Sequence, residues 1–532
     1  MSTAVEMKRR GGHKKGLDAT DSRRRRSEVT VSLRRQKKEE GLAKRRNTAL
    51  AARADPAVPA TTQGTQKRYT VQDLPALTAG LTSPDPSTQT DCARGFRRLL
   101  SVEQSPPVEE VIASGAMPAL VASLSRHDNK DLQFEAAWAL TNIASTDRTR
   151  VVVEHGAVPP LVQNLRHQDA DLREQCAWCL GNIAGDSTEL RDGLLETDAL
   201  GGLLLNVAQP ASDSLLRNVV WALSNFCRGK PQPNKASAFL AIAPLRPALL
   251  QLLSSTDRDV LVDTCWALSY LSDGDQERIQ LVMEGGVVPL LCRHLTHETS
   301  HVVTPALRTL GNFATGSDEQ TQAVVDAGVV PLLAKLLTHT KKSIRKEACW
   351  MLSNLAAGTP EQLAAICGQP GLLASVVALF DASEWDVRKE ANHVLSNVLT
   401  SCDRTQVDKL VKMGVFKPMC DMLDKSDARA VLVTMEAIEA ILRLDDESER
   451  YASLFDEAEG VDRLEQLQEH ENAQVYQKAV SILEGFFEGE EEGDAENLAP
   501  EEEENGQAFA FGAPSGKPQL SALGPSAVFN FQ

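Results

Sequence analysis

Residues 156–186 read GAVPPLVQNLRHQDADLREQCAWCLGNIAGD and contain two patterns that return along most of the chain. The first is a glycine followed shortly by proline and then by a leucine-rich segment. Because glycine commonly ends a helix and proline commonly begins one, this pattern predicts a helix stop and restart. The second is WCLGN (178–182), which places Trp178 and Asn182 four residues apart, a helical spacing.

The second pattern sets the period of the chain. Its seven copies are WALTN (138–142), WCLGN (178–182), WALSN (221–225), WALSY (266–270), RTLGN (308–312), WMLSN (350–354) and HVLSN (393–397). Their spacings are 40, 43, 45, 42, 42 and 43 residues. Helical repeats of about 40–47 residues are typical of armadillo and HEAT arrays, in which stacking of the units forms one continuous core. We therefore predict an all-α repeat array over residues 70–487.

Charge divides the 532-residue chain into unequal parts. The net charge is -17, yet residues 1–53 contain 17 Lys and Arg against 6 Asp and Glu. This predicts a basic arm on an acidic body, and such an arm suits nucleic acid, another acidic protein or the body itself. Residues 54–69 have the composition of a flexible linker. Residues 488–532 are too charged and too poor in apolar groups to pack, which predicts a disordered acidic tail.

Cys176 and Cys179 form a Cys-x-x-Cys pair that invites a metal or redox interpretation. No second such pair follows, and both sulfurs fall on the apolar stripe of their helix. We therefore predict buried thiols, with no metal and no cofactor. The N-terminus lacks the apolar segment of a secretory signal, and no run of about 18 apolar residues predicts membrane insertion.

Trp178 and Asn182 fall together on a helical wheel, well off the apolar stripe, which predicts a mostly solvent-facing position. A single tryptophan at such spacing usually belongs to the core. Repetition favours instead a row of indoles and amides along the concave side of the array. Amides can hold the backbone of an extended peptide, and indole faces can take the stems and cations of Lys or Arg. Asp186 and Asp263 would supply countercharges.

The chain resembles the importin alpha family, the adaptors that carry cargo bearing a nuclear localisation signal. The resemblance rests on the basic segment RRRRSEVTVSLRRQKKEEGLAKRRN (23–47), on the seven blocks in order, and on Tyr270 and Arg308 within them. It implies a right-handed superhelical solenoid of about ten armadillo repeats. The implied major cargo-signal site comprises Trp138, Asn142, Trp178, Asn182, Asp186, Trp221, Asn225, Asp263 and Trp266. The implied minor site, used by the other half of bipartite signals, comprises Arg308, Asn312, Asp318, Glu347, Trp350, Asn354, Glu390 and Asn397.

The same resemblance implies the partners. The basic arm binds importin beta as a helix, and its Lys44, Arg45 and Arg46 can fold back into the cargo groove as a tethered competitor. The C-terminal repeats bind an export receptor. Residues 445–504 suit that role, although an acidic run is more often only a solvated tail. Such an adaptor shuttles through nuclear pores between cytoplasm and nucleus, without binding nucleic acid directly. A nucleic-acid-binding arm is what composition alone would favour, and the matching groove argues against it.

His393 departs from the family's pattern. It stands where the outermost tryptophan of the minor site is expected, so we predict a weakened minor site and reliance on cargo that binds mainly at the major site. Other armadillo scaffolds are the remaining alternatives. A catenin-like groove would present Lys and Arg to acidic ligands, and an armadillo ubiquitin ligase needs a catalytic domain for which residues 1–69 offer no candidate. No phosphate loop, GxSxG or HExxH motif occurs, so we predict that the protein is not an enzyme.

Overall fold

The structure, a computed structural model, describes residues 69–102, 105–229, 242–382, 384–424, 427–445 and 449–487, together with 501–502 and 509–510. The predicted basic arm, nearly all of the linker and most of the tail lie outside these residues. The chain divides into two compact units, one ending at Met419 and the other beginning at Cys420.

The first unit repeats a pattern of two short helices followed by a longer third helix. After a 3₁₀ turn at Val71–Asp73, its first half contains α1 (Leu74–Leu81), α2 (Pro86–Leu100), α3 (Val108–Ala113), α4 (Met117–Ser123), α5 (Lys130–Ala144), α6 (Thr149–Glu154), α7 (Val158–Asn164), α8 (Ala170–Asp186), α9 (Thr188–Leu195), α10 (Ala199–Ala208) and α11 (Asp213–Phe226). Its second half contains α12 (Leu245–Leu252), α13 (Arg258–Leu271), α14 (Gln276–Met283), α15 (Val287–His294), α16 (Ser300–Phe313), α17 (Asp318–Asp326), α18 (Val329–Leu336), α19 (Lys342–Ala356), α20 (Pro360–Gly368), α21 (Leu372–Ala382), α22 (Trp385–Leu399) and α23 (Arg404–Lys412). The boundary between the two units falls within α24 (Phe416–Leu423).

Local sequence decides where these helices begin. Gly156 and Gly328 precede second helices with φ of +77° and +80°, a left-handed conformation that glycine adopts without steric cost. The third helices α2, α5, α8, α11 and α13 begin at polar side-chain caps. The Asp169 carboxylate accepts hydrogen bonds from the backbone N–H groups of Asp171 and Leu172, each at 3.0 Å, and so satisfies two donors at the start of α8.

The third helices pack against one another in chain order, from α2 through to α22. The apolar stripe predicted for α8 is buried: Leu172, Cys176, Cys179, Leu180 and Ile183 are all 0% exposed. Burial of apolar surface stabilises by about 25 cal/mol per Å², and a third helix gains it from the third helices on either side and from the shorter helices packed beside it. The all-α armadillo solenoid predicted from the repeat period is confirmed.

The second unit contains α25 (Ala428–Leu442), α26 (Arg450–Glu457), α27 (Gly460–Leu467) and α28 (Ala473–Phe486). Lys478 of α28 forms an ion pair with Glu439 of α25, at 2.5 Å. In the tail, β1 (Glu501–Glu502) pairs antiparallel with β2 (Phe509–Ala510). Within the described residues, this short strand pair is the one departure from the predicted all-α fold, and the predicted disordered tail otherwise lies outside them.

The described residues offer neither a single membrane-spanning helix nor a metal site. No single helix there is long and apolar enough to cross a membrane, and α20 and α21 reach that length and hydropathy only jointly, across a 75° bend. The same residues contain no group of three or more His, Cys, Asp or Glu side chains that could hold a metal ion.

Candidate functional site

Five asparagines of the repeated block join successive third helices in the same way. Each side-chain nitrogen donates a hydrogen bond to a backbone carbonyl oxygen of the preceding repeat. The acceptor is the fourth residue of that repeat's five-residue block. The pairs are Asn182 with Thr141 (3.1 Å), Asn225 with Gly181 (2.9 Å), Asn312 with Ser269 (3.0 Å), Asn354 with Gly311 (3.5 Å) and Asn397 with Ser353 (2.8 Å). We call these five residues the asparagine ladder. The bond recurs at five of the six steps between the seven blocks, the exception being the step to the block in which Tyr270 replaces the asparagine, and it fixes the register of the third helices that it joins.

The asparagine ladder is more buried than a helical wheel predicts. Asn182 is 0% exposed, so the predicted solvent-facing position is wrong for this residue. A wheel treats one helix alone, whereas the Asn182 side chain on α8 meets α5 of the preceding repeat. Asn142, in the block before the ladder, is also buried and donates to the Ser101 hydroxyl at 3.1 Å.

The tryptophans form a second row on the same third helices. Trp178, Trp221 and Trp266 are half-buried, as a partly solvent-facing position requires. Trp138 and Trp350 are only 6% and 7% exposed. The row therefore offers open indole surface mainly in its central part.

Two indoles lie directly on glycines of the preceding repeat. A Cβ added to Gly181 would come within 2.5 Å of Cζ3 of Trp221, and one added to Gly311 would come still closer to Cζ3 of Trp350. Real Cβ atoms essentially never approach so closely. The glycine just before the block asparagine thus makes room for the next tryptophan.

Arg308 occupies the tryptophan position of its repeat and is held by two neighbours. Its guanidinium lies 5.5 Å from the ring centroid of Trp266 and donates two hydrogen bonds to the Glu347 carboxylate, at 2.6 and 3.3 Å. Burial disfavours the cation, but the charge and hydrogen bonds of Glu347 outweigh it, so the pKa of Arg308 is raised. Glu347 is 6% exposed. These two predicted minor-site residues are therefore paired with each other.

A related arrangement at the start of the row was missed in the sequence. The guanidinium of Arg97 lies 4.7 Å from the ring centroid of Trp138 and pairs with the Glu135 carboxylate. Arg94 pairs with the same carboxylate at 3.1 Å. Burial lowers the pKa of Arg97, although the charge of the neighbouring Glu135 acts to raise it. The sequence did contain a signal for this arrangement. RRLLS (97–101) lies one repeat before WALTN (138–142), so that Arg97 aligns with Trp138.

The remaining predicted site residues differ in exposure. Asp186, the last residue of α8, and Asp318, the first of α17, are both exposed. Asp263 and Glu390 are half-buried, each three residues before the first block position of its repeat. His393 is 5% exposed. The predicted autoinhibitory residues lie outside the described part of the chain: Lys44, Arg45 and Arg46.

Cys176 and Cys179 belong to the core. Both are free, 0% exposed thiols. Burial raises the pKa of Cys179 to about 12 and that of Cys176 well above its usual range. The thiolate that a metal or redox site needs is thus disfavoured at neutral pH. The prediction of buried thiols is confirmed.

The chain is similar along nearly its whole length to proteins named for one family. It is 44% identical over 519 residues to importin subunit alpha-3 of Arabidopsis thaliana, which covers 95% of this chain and 96% of the relative. It is 45% identical over 541 residues to importin subunit alpha-2 of the same plant, with 98% of each chain covered. The chain belongs to the importin alpha family. As a member of this family of adaptors, it is a nuclear import adaptor.

The domains of importin alpha are recognisable in the sequence. The importin beta binding domain matches residues 9–94, and the armadillo/beta-catenin-like repeat matches residues 104–145, 145–185, 247–273, 275–315 and 317–357. An atypical armadillo repeat matches residues 449–501. Among solved structures, an engineered protein is similar with a TM-score of 0.71 and 30% identity, covering 78% of this chain and 99% of its own. The match to the importin beta binding domain supports importin beta as a partner of this importin alpha.

Proposed function

We propose that this importin alpha binds extended, Lys/Arg-rich nuclear localisation signals along the row of tryptophans and the asparagine ladder. The major site uses the rows from Trp138 to Trp266, and the minor site uses those from Arg308 to Asn397. The basic arm, residues 1–53, links the cargo complex to importin beta. The protein then shuttles through nuclear pores, and its C-terminal repeats, with residues 445–504, bind the export receptor that returns it to the cytoplasm.

The observation that carries this proposal is the repeated asparagine-to-carbonyl bond. An asparagine amide has two N–H donors and one oxygen acceptor, and the ladder bond uses one donor. The half-buried Asn354 and Asn397 therefore keep one N–H donor and the amide oxygen for a ligand. Asn182 is fully buried, and Asn312 uses its second donor on the Ser272 hydroxyl, at 3.1 Å. An extended peptide presents alternating N–H and C=O groups that need such partners when no sheet supplies them. The ladder supports backbone recognition that does not depend on cargo sequence.

The half-buried indoles supply selectivity for long cationic side chains. Trp178, Trp221 and Trp266 expose part of their rings, and a cation over an indole face gains about 0.5–2 kcal/mol. The aliphatic stems of Lys and Arg bury apolar surface against the same rings. Asp186 is exposed at the end of α8, which supports its proposed role as the countercharge for a cargo lysine.

The minor site is proposed to be the weaker one. Arg308 and Glu347 neutralise each other, and His393 supplies no indole beside Trp350. With a bipartite peptide, Trp221→Ala should then reduce affinity more than Trp350→Ala does, as measured by fluorescence anisotropy. Equal losses from the two substitutions would contradict a weakened minor site.

Self-inhibition of the groove follows from the arm's own composition. Lys44, Arg45 and Arg46 are the ligand type that the groove selects, and a tether gives them a high effective concentration. Replacing these three residues with Ala in the full chain should strengthen binding of a fluorescent Lys-rich peptide. The matched control replaces Lys8, Arg9 and Arg10, which have the same composition. Equal changes in both variants would indicate a general charge effect instead.

A further inference from the structure

Two thiols lie in contact at a junction between repeats. Cys367 is in the last turn of α20 and Cys402 is in the turn between α22 and α23, with their sulfur atoms 3.4 Å apart. Both side chains are half-buried, whereas Cys176, Cys179, Cys227, Cys265, Cys292, Cys349 and Cys420 are buried. Thus a solvent-borne reagent can reach this pair while most other thiols are shielded.

The backbone around the pair is at helix ends rather than mid-helix. The Cys402 N–H donates to the carbonyl of Val398 at 2.9 Å, which closes the last turn of α22. The next residue, Asp403, caps α23 by accepting a hydrogen bond from the Gln406 N–H. A disulfide needs the sulfurs at about 2.05 Å, so the change is a small rotation and displacement of two side chains at helix termini.

The surroundings assign different roles to the two sulfurs. A hydrogen bond from Cys402 lowers the pKa of the Cys367 thiol, and the Lys409 cation on α23 lowers it further against burial and Asp403. The same hydrogen bond, together with burial, raises the pKa of Cys402. Because the thiolate is the nucleophile in thiol oxidation, these surroundings favour Cys367 as the attacking sulfur and Cys402 as the resolving one.

We propose that Cys367 and Cys402 form a redox modification site, which a hydroperoxide converts to a disulfide. The Cys367 thiolate attacks the hydroperoxide, the O–O bond breaks, and Cys367 becomes a sulfenic acid while the leaving oxygen takes a proton. The Cys402 sulfur then attacks the Cys367 sulfur, and the S–S bond forms as water leaves. In total, two thiols and one hydroperoxide give one disulfide, one alcohol (water for hydrogen peroxide) and one water.

The disulfide would link α20, the first helix of one repeat, to the turn just before α23, the first helix of the next repeat. Between these points lies α22, which bears His393 and the ladder residue Asn397. Cross-linking residues 367 and 402 restricts separation of the two repeats, because it removes conformations in which the chain between them opens. Oxidation therefore stiffens this junction, independently of whether cargo binds there.

The test treats the full chain with hydrogen peroxide and then alkylates the remaining thiols. Non-reducing peptide mass mapping should find one linked pair that contains Cys367 and Cys402, lighter by two hydrogen atoms than the separate peptides and lost on adding dithiothreitol. During peroxide treatment, the fraction of Cys367 that can still be alkylated should fall at least about tenfold faster than that of Cys92, the other half-buried cysteine.

Three variants separate the roles of the sulfurs. Cys402→Ser should leave Cys367 as a sulfenic acid that dimedone traps, Cys367→Ser should leave no trapped sulfenic acid at Cys402, and Cys92→Ser should form the linked pair normally. The proposal is overturned if the unsubstituted protein forms no 367–402 link while Cys92 becomes oxidised, or if Cys367 and Cys92 react at the same rate.

Discussion

The side-chain nitrogen of Asn182 donates a hydrogen bond to the backbone carbonyl oxygen of Thr141, 3.1 Å away in the preceding repeat. The Thr141 hydroxyl in turn donates to the carbonyl of Gln175 on the helix of Asn182, at 3.2 Å. α5 and α8 are thus joined by polar bonds in both directions within a buried interface. The same asparagine contact recurs in four further steps, so the proposed groove and the stacking of the repeats share residues.

Replacing Asn182 should destabilise the array. Asn182→Ala removes a fully buried hydrogen bond and leaves a small cavity, a loss of about 1–3 kcal/mol. Asn354→Ala is the matched control, because Asn354 is half-buried and its bond is longer, at 3.5 Å. Thermal unfolding followed by circular dichroism should show the larger shift for Asn182. A larger shift for Asn354 would contradict the role given to the buried bond.

Gly311 should not tolerate a side chain. In Gly311→Ala the new Cβ would meet the Trp350 ring, so the ring or α16 must move at a cost of about 1–3 kcal/mol. Gly193→Ala in α9 is the control, since a Cβ there meets no atom within 4 Å. Alanine favours a helix over glycine by about 1 kcal/mol, so this control should be neutral or stabilising. Equal melting temperatures for both variants would contradict the proposed contact.

The period of the blocks was sufficient to predict the helical array, because each unit repeats the same stop, restart and apolar stripe. The burial of Asn182 was not predictable from α8 alone, since it depends on how α5 approaches. The pairing of Arg308 with Glu347 was likewise hidden, because the two residues lie in different repeats and each also matched a cargo-site position. Arg97 was missed because its block contains neither Trp nor Asn.

The Arg308–Glu347 pair should behave as one unit. Removing either partner leaves the other charge buried and uncompensated, at a cost of about 3–5 kcal/mol when burial is complete. Arg308 is 17% exposed, so the observed loss should fall below that range. The double variant Arg308→Met, Glu347→Leu should be more stable than either single variant in a double-mutant cycle. The exposed pair Arg150–Glu189 is the control and should show little coupling. Additive losses at Arg308 and Glu347 would contradict a coupled pair.

Cys179 should resist alkylation in the folded protein. Burial raises its pKa to about 12, so the thiol stays protonated at pH 8 and the reactive thiolate is scarce. Iodoacetamide should label Cys179 only after unfolding in urea, whereas half-buried Cys92 should react in the native state. A metal chelator should leave the melting temperature unchanged. Rapid native labelling of Cys179, or a chelator-induced fall in melting temperature, would overturn the assignment of this pair to the core.

The central proposal is that a groove selects cationic peptides through its indoles, amides and countercharges. The most direct measurement is the affinity of the full chain for a fluorescent Lys-rich peptide, before and after Asp186→Lys. Placing a like charge against the cargo lysine should weaken binding by about a hundredfold. Asp326→Lys makes the same charge change at an exposed residue of α17, outside the third helices, and should alter affinity little. Equal affinity for Asp186→Lys and the unsubstituted chain, or equal losses in both variants, would contradict the proposed groove.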